Sequence, residues 1–296
     1  MKILYRIAAI LLTTFSAYAQ NATAPASSSP RPSANAVIEQ IKSHVGVPWT
    51  EPTVDSFKAG DPQTSVTGIA VTMMATLDVL QRAAANGQNL IITHEPTFYD
   101  HQDNPAQLPQ GEQDAVLKQK REFIAQHHLV VWRFHDHWHL RRPDGIMTGV
   151  VRALQWQKFQ NPSDPNVFVL PETTVEQLAS DMKKRLGINV LRWIGNPRMK
   201  ITKVGLAPGA SGPQRHRQML QREDVEVLAI GEVPEWETIE YVADAGAEGK
   251  SKALILLGHI PSEQPGMEYC AEWLKTFINE VPVEFVPTRE PFFLAK

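Results

Sequence analysis

The sequence predicts an α/β fold: a three-layer α/β/α arrangement built from two related halves around mostly buried mixed sheets. Three observations carry that expectation. Short apolar runs alternate with amphipathic stretches, as strands alternate with helices. Several runs are apolar throughout, among them LIIT at 90–93 and LVV at 129–131, which suits strands covered on both faces. Two runs also repeat: LIITHEP at 90–96 and ILLGHIP at 255–261 share three apolar residues, a small one, His, any residue and Pro. Each follows a helical stretch ending in a Gly-containing turn, so the repeat predicts counterparts in two halves.

In order, 36–45 reads as the first helix and 66–71 as a short strand. Residues 75–85 place Leu77, Leu80 and Ala84 on one helical face, and Asn86-Gly87 stops that helix. Residues 90–93 form a buried strand, and Pro96, with no N–H for a ladder, turns the chain after His94-Glu95. A polar loop at 100–111 precedes an amphipathic helix at 113–127 and a strand at 129–134, which opens into a loop at 135–144. Then come a helix at 145–154, a strand at 167–170, a helix at 174–186 capped by Thr173 or Thr174, and a strand at 190–194. A strand at 204–207 runs into the Gly-rich stretch GLAPGASG. Strands at 227–230 and 253–257 each lead to a Gly, with a helix at 235–244 between them; a helix at 266–280 and a strand at 283–286 follow. The domain spans 36–296, with halves at 36–155 and 200–296 and a connecting segment at 156–199.

The 296 residues are 43 % hydrophobic and 21 % charged, enough apolar material for a sizeable core. A net charge of −3 argues against a nucleic-acid partner and against a basic membrane-binding surface. Lys2 and Arg6, the apolar run 7–12 with Phe15, and Ala17-Tyr18-Ala19 read as a signal peptide, 1–19, cleaved after Ala19. The apolar run is too short for a bilayer, which takes about 20 residues. Residues 20–35, rich in Ala, Ser and Pro, read as a flexible linker. A periplasmic or secreted protein is expected, with no membrane attachment after cleavage. Cys270 is the one cysteine, so no internal disulfide forms, and it suits a small buried side chain.

Four strand ends carry metal-competent residues: His94-Glu95, the run HDHWH at 135–139, Gly231-Glu232, and His259 with Glu263. Ligands of open α/β sheets bind beyond the carboxyl ends of strands. Adjacent residues at a strand end point in different directions. His94 and Glu95 therefore suit two metals, one each, in a site whose ions stand roughly 3.5–4 Å apart. His259 and Glu263 have the i, i+4 spacing of one helical face. Pro261 argues against a regular helix there, and a tight loop is the alternative. Imidazole with carboxylate suits Zn, Fe, Mn or Co rather than Ca or Mg. The plainer reading makes each His a hydrogen-bonded core or surface residue; the repeated His and the His-rich third strand end outweigh it. GLAPGASG either forms an anion-binding nest near a helix start or is a loop whose glycines permit close approach; no phosphate-loop pattern is complete, which favours the loop.

THEPTF, FHDHWH, LAIGE and GHIPSEQPG resemble the motifs of the NIF-three-like dinuclear-metal proteins, also called the GTP cyclohydrolase 1 type 2 family, in order and spacing from about residue 36 onward. The resemblance implies two divalent transition-metal ions per chain (Zn, Fe or Mn) facing a central cavity, and a homo-oligomer, often a toroidal hexamer. It carries over His94, Glu95, His139, His259 and Glu263 as ligands. The chain departs from the family pattern twice. Glu95 stands where the family has the second His of His-His-Pro. His139 stands where the family's His-x-x-x-Asp has Asp, once His135 is matched to its His. One position gains a negative charge and the other loses one, so the ligand charge is unaltered. Asp136 or His137 in place of His139 would change that balance.

Metal-bound His residues usually donate their other ring nitrogen to a carboxylate or carbonyl; Glu232, His135 and Asp136 are nearest by motif. Glu232, His135 or His137 would handle protons, while Glu232 alternatively serves as a helix-terminal carboxylate. The expected function is hydrolysis of an unidentified small molecule by metal-activated water. GTP ring opening is not adopted, because nucleoside triphosphates are scarce outside the cytoplasm. The rivals are a non-catalytic metal-binding or scaffold protein, whose metal stabilises the fold or oligomer, and a one-metal site with Glu95 as general base. Glu95→Gln is expected to lower the metal content per chain by elemental analysis. A loss no greater than that from a distant surface substitution would end the compensated-charge idea.

Overall fold

The computed structural model describes residues 31–109, 111–293 and 295; the signal peptide expected at 1–19 and residues 20–30 of the expected linker lie outside the described residues. The chain runs α1 (Ala34–His44), β1 (Phe57–Ala59), β2 (Ile69–Thr72), α2 (Leu77–Ala85), β3 (Leu90–Thr93), α3 (Ala115–Gln126), β4 (Val130–Arg133), α4 (Asp136–Leu140), α5 (Gly145–Leu154) and β5 (Gln160–Asn161). It continues through β6 (Asp164–Thr174), α6 (Val175–Arg185), β7 (Arg192–Ile194), β8 (Lys200–Ala207), α7 (Pro213–Leu220), β9 (Val227–Ile230), α8 (Glu240–Ala247), β10 (Ala253–Leu256), α9 (His259–Leu274) and β11 (Val283–Phe285).

Two mixed sheets result. The first has the order β1-β4-β3-β2-β11, parallel except for β1 at its edge. The second has the order β5-β6-β8-β9-β10-β7, with β8, β9 and β10 parallel and the outer strands antiparallel. Segment 156–199 supplies β5, β6 and β7 of the second sheet, and β11 returns to the first. The repeated motifs occupy β3 and β10, an interior strand in each sheet.

Side-chain alternation explains how each sheet is covered twice. Ile69, Val71, Leu90, Ile92, Val130 and Trp132 of the first sheet enter a central core. Val204, Leu206, Val227, Ala229 and Ile255 of the second sheet enter the same core, with apolar faces of α1, α5, α6 and α9. On the outside, Ala70, Ile91 and Val131 meet α2 and α3. Ala207, Leu228, Ile230 and Leu254 meet Met219 and Leu220 of α7 and Val242 of α8. Each sheet is thus covered by helices on both faces, and the two share one helical layer. No helix among the described residues is long and apolar enough to cross a membrane.

Several elements differ from the sequence expectation. The loop expected at 135–144 contains helix α4, and α7 follows GLAPGASG. The tight loop considered at 259–263 is instead the first turn of α9. Pro261 is tolerated because an N–H in the first turn has no intrahelical acceptor; the ladder starts at Ser262, whose N–H donates to Gly258 O at 3.1 Å. Farther along, α9 crosses α5 closely. A Cβ on Gly149 would collide with the Pro265 carbonyl, and one on Gly266 with Ile146. Gly149→Ala is expected to cost about 1–3 kcal/mol through overpacking, read as a lower urea midpoint with an unchanged slope.

Candidate metal centre

The carboxyl ends of β3 and β4, helix α4 and the start of α9 converge on a cavity of about 1040 Å³. Glu95, His135, His139, Glu232, His259 and Glu263 line it, with His94 fully buried beside Glu263.

One scheme orients four imidazoles. His94 Nδ1–H donates to the Phe134 carbonyl at 3.1 Å. His135 Nδ1–H donates to Asp136 Oδ1 at 2.9 Å, and His139 Nδ1–H to Asp144 Oδ2 at 3.0 Å. His259 Nδ1 lies 3.3 Å from Glu232 Oε1. Each ring is thereby held by an oxygen acceptor, which leaves Nε2 for the centre, as metal-binding histidines require. The Nε2 atoms converge on carboxylates. His259 Nε2 lies 3.1 Å from Glu263 Oε2 and 3.3 Å from Glu95 Oε1. His94 Nε2 lies 3.7 Å from Glu263 Oε2, and His139 Nε2 3.9 Å from Glu263 Oε1. His135 Nε2 lies 3.7 Å from Glu95 Oε1.

His94 Nε2 tests whether a metal fits. It is buried with no hydrogen-bond partner, a condition that costs about 1–3 kcal/mol when nothing fills it. Burial, then His135 and His139, pushes its pKa well below 6.5, so the ring is neutral and offers a lone pair. Single donor atoms from His94, His135 and His139 lie within 4.8 Å of one another, as do those from His94, Glu95 and Glu263. These groups could hold a metal ion. His135 therefore joins the ligand candidates and is not only a proton carrier.

The electrostatics call for a cation. Burial opposes protonation of His259, but Glu232, Glu263 and Glu95 around it push its pKa up to about 12. Burial alone would raise the Glu95 pKa; His259, His135 and Arg133 outweigh it and hold the carboxyl below its usual value. Hydrogen bonding to His259 likewise lowers Glu232. Burial would raise Asp136, yet His135, the Val54 amide and the Thr53 hydroxyl take it to about 2. His139 is raised: burial opposes, and Asp144 dominates.

His137 does not reach the site. It is buried, donates Nδ1–H to Asp55 Oδ2 at 2.8 Å and accepts at Nε2 from Thr50 N–H at 3.0 Å. Trp49 stacks on its ring at 3.7 Å. With both nitrogens engaged it has no proton to exchange with the cavity. Asp136 faces His135 and Thr53, so it orients a ring and does not stand in for His139. Glu232 Oε1 lies 3.3 Å from His259 Nδ1, and its side chain is 56 % exposed.

Sequence reasoning missed Asp55 and Arg133. Asp55 Oδ1 accepts from the His135 and Asp136 amides at 2.6 and 2.9 Å, and Oδ2 from the His137 amide at 2.9 Å, fixing the start of α4. Arg133, fully buried at the end of β4, donates from Nε to the His94 carbonyl at 3.0 Å and from Nη2 to Glu95 Oε2 at 3.4 Å. GLAPGASG proves to be a loop of close approach. Gly209, at φ +66°, donates its N–H to Ser262 Oγ at 3.0 Å, and a Cβ there would collide with the Glu263 carboxylate.

Beyond the strand ends of an α/β protein, oriented imidazoles and two buried carboxylates form a group that could hold a metal ion. The chain belongs to the Duf34/NIF3 (NGG1p interacting factor 3) family, whose model matches residues 54–291. A relative in Clostridium perfringens, a GTP cyclohydrolase 1 type 2 homolog, is 23% identical over 241 residues, 78% of this chain and 86% of that protein. The fold is similar to that of a Bacillus cereus protein related to NIF3, with a TM-score of 0.69 and 14% identity over 90% of this chain and 100% of that one. A Staphylococcus aureus hypothetical protein has a TM-score of 0.68 and 17% identity, with the same coverage.

Gly209→Ala is expected to displace Glu263 and weaken Zn binding about 10–100-fold, the scale of disturbed ligand support. Competition with a chromophoric chelator reads the change.

Proposed function

We propose that this chain is a dinuclear-metal-dependent hydrolase acting on a small molecule through an activated water. The observation that carries this reading is the set of four Nε2 atoms turned inward around Glu95 and Glu263. His94 has one nitrogen to give, because Phe134 takes the other. In this reading two ions divide the donors: His94, His135 and His139 for one, His259 and Glu95 for the other. Glu263 presents Oε1 toward His139 and Oε2 toward His259, so it suits both. Bound there, Zn, Fe or Mn would supply Lewis acidity to a water and to a substrate oxygen.

The chain's own residues have distinct tasks. Glu232 holds the Nδ1 proton of His259, and its exposure lets it pass a proton to solvent. His259 and His135, with Arg133 behind them, keep Glu95 ionised. The open cavity supports catalysis over a closed structural site. The segment read as a signal peptide supports a periplasmic or secreted setting, and the resemblance supports a homo-oligomer.

A screen of phosphoester, amide and ester substrates with added Zn, Mn or Fe tests the reading beside His259→Ala. Metal-dependent turnover is expected for at least one class, with a loss of about 100-fold or more in the variant. No metal-dependent turnover on any class would leave a metal-binding scaffold instead.

A further inference from the structure

The cavity that holds the imidazoles also holds a buried cation with no direct carboxylate partner among the described residues; Asp103 acts on it only from beyond 4.0 Å. Lys120 of α3 lines the cavity but is only 3 % exposed. Its Nζ donates to the Thr97 carbonyl. No carboxylate oxygen of a described residue lies within 4.0 Å of that nitrogen. Neighbouring cations are provided for. Lys58 lies 3.8 Å from Asp103, and Arg133 lies 3.9 Å from Asp103 and 3.4 Å from Glu95. Asp103 is further committed to the Thr97 and Phe98 amides, at 2.6 and 2.8 Å.

A second group in the same wall lacks a partner. Thr97 is fully buried and lines the cavity, and its Oγ1 makes no hydrogen bond. Tyr99 sits over the ammonium at 5.0 Å, in the left-handed region at φ 62°. A bulky residue rarely adopts that conformation outside strained or functional positions.

Holding a loop does not require a charge. A neutral donor at position 120 would bond the Thr97 carbonyl without the cost of burying an ammonium. That burial pulls the Lys120 pKa down to about 8, so the group is still largely cationic at neutral pH. An ammonium has three donors, and one is used. Two N–H donors of Lys120 and the Thr97 hydroxyl are therefore without hydrogen-bond partners, in two residues that line the same cavity.

We propose that Lys120 Nζ and Thr97 Oγ1 form an oxyanion subsite that seats a phosphate or carboxylate group of the ligand beside the His–Glu centre. Lysine serves such groups as a point charge. That the ligand is a substrate rests on the hydrolytic reading; that the subsite binds an oxyanion does not.

Calorimetric titration of inorganic phosphate, and separately of acetate, into the full chain tests this, both as purified and after chelation. Lys120→Met is expected to weaken binding of the preferred anion about tenfold or more, the worth of a hydrogen bond to a charged group. Thr97→Val, nearly isosteric, is expected to weaken it about threefold. Chelation removes anion held by metal alone and leaves the Lys120-dependent part. The tighter of the two probes identifies the group. Unchanged affinity in Lys120→Met, or in Thr97→Val where Lys120→Met does not fold, overturns the subsite, as does the absence of binding by the parent chain. Lys120-dependent binding in a chain with no hydrolytic turnover sinks the hydrolytic reading alone.

Discussion

Across the ends of β3 and β4, His94 Nδ1–H donates to the Phe134 carbonyl, and that bond decides which nitrogen faces the cavity. Parallel pairing makes it possible. Thr93 stands opposite Arg133, and the Phe134 amide donates to the Thr93 carbonyl at 2.8 Å, so residues 94 and 134 emerge side by side. From this fixed ring the rest of the centre can be laid out. Glu263 approaches the inward nitrogen from α9, and His135 and His139 approach from α4. The same arrangement recurs at each ring: an oxygen behind at Nδ1, and Nε2 turned toward the centre.

Charge sets the second constraint. Three carboxylates crowd His259 within hydrogen-bonding range, a gathering that is unfavourable unless a cation joins it. Glu95, the departure from the family's His-His-Pro, lies between His259 on one side and buried Arg133 on the other. Arg133 also ties down the backbone of the turn through the His94 and His101 carbonyls. The guanidinium thus supports both the charge and the position of the carboxylate. Lys120 has no carboxylate of a described residue within 4.0 Å, and Asp103 acts on it only from farther away.

Much of this was legible in the chain because it is local. Buried strands wrote themselves as apolar runs, and the repeated His-x-Pro motifs marked the ends of β3 and β10. The run HDHWH was legible only in part. Read as a loop, it gave His139 as a ligand and His135 and His137 as proton carriers, with Asp136 or His137 as the alternative ligand. Within α4 and its cap, His135 and His139 stand i, i+4 on the cavity side, while His137 turns toward Trp49 and Asp55. Helical spacing alone would have separated them. What hid the helix is its brevity and its dependence on Asp55, which caps it from some 80 residues away. In the same way α9 starts before Pro261 because proline's missing N–H costs nothing in a first turn.

The sequence by itself determined most of the elements, the α/β class and the histidines and carboxylates at strand ends, because those follow from short-range periodicity and covalent neighbours. Only the tertiary structure decided which histidines meet and which nitrogen each presents. It also decided that Arg133 backs Glu95, that Gly209 leaves room for Glu263, and that Lys120 is buried with no carboxylate of a described residue in direct contact. Each of these depends on contacts between residues far apart in the chain, and no local pattern encodes where a buried charge will find its partner.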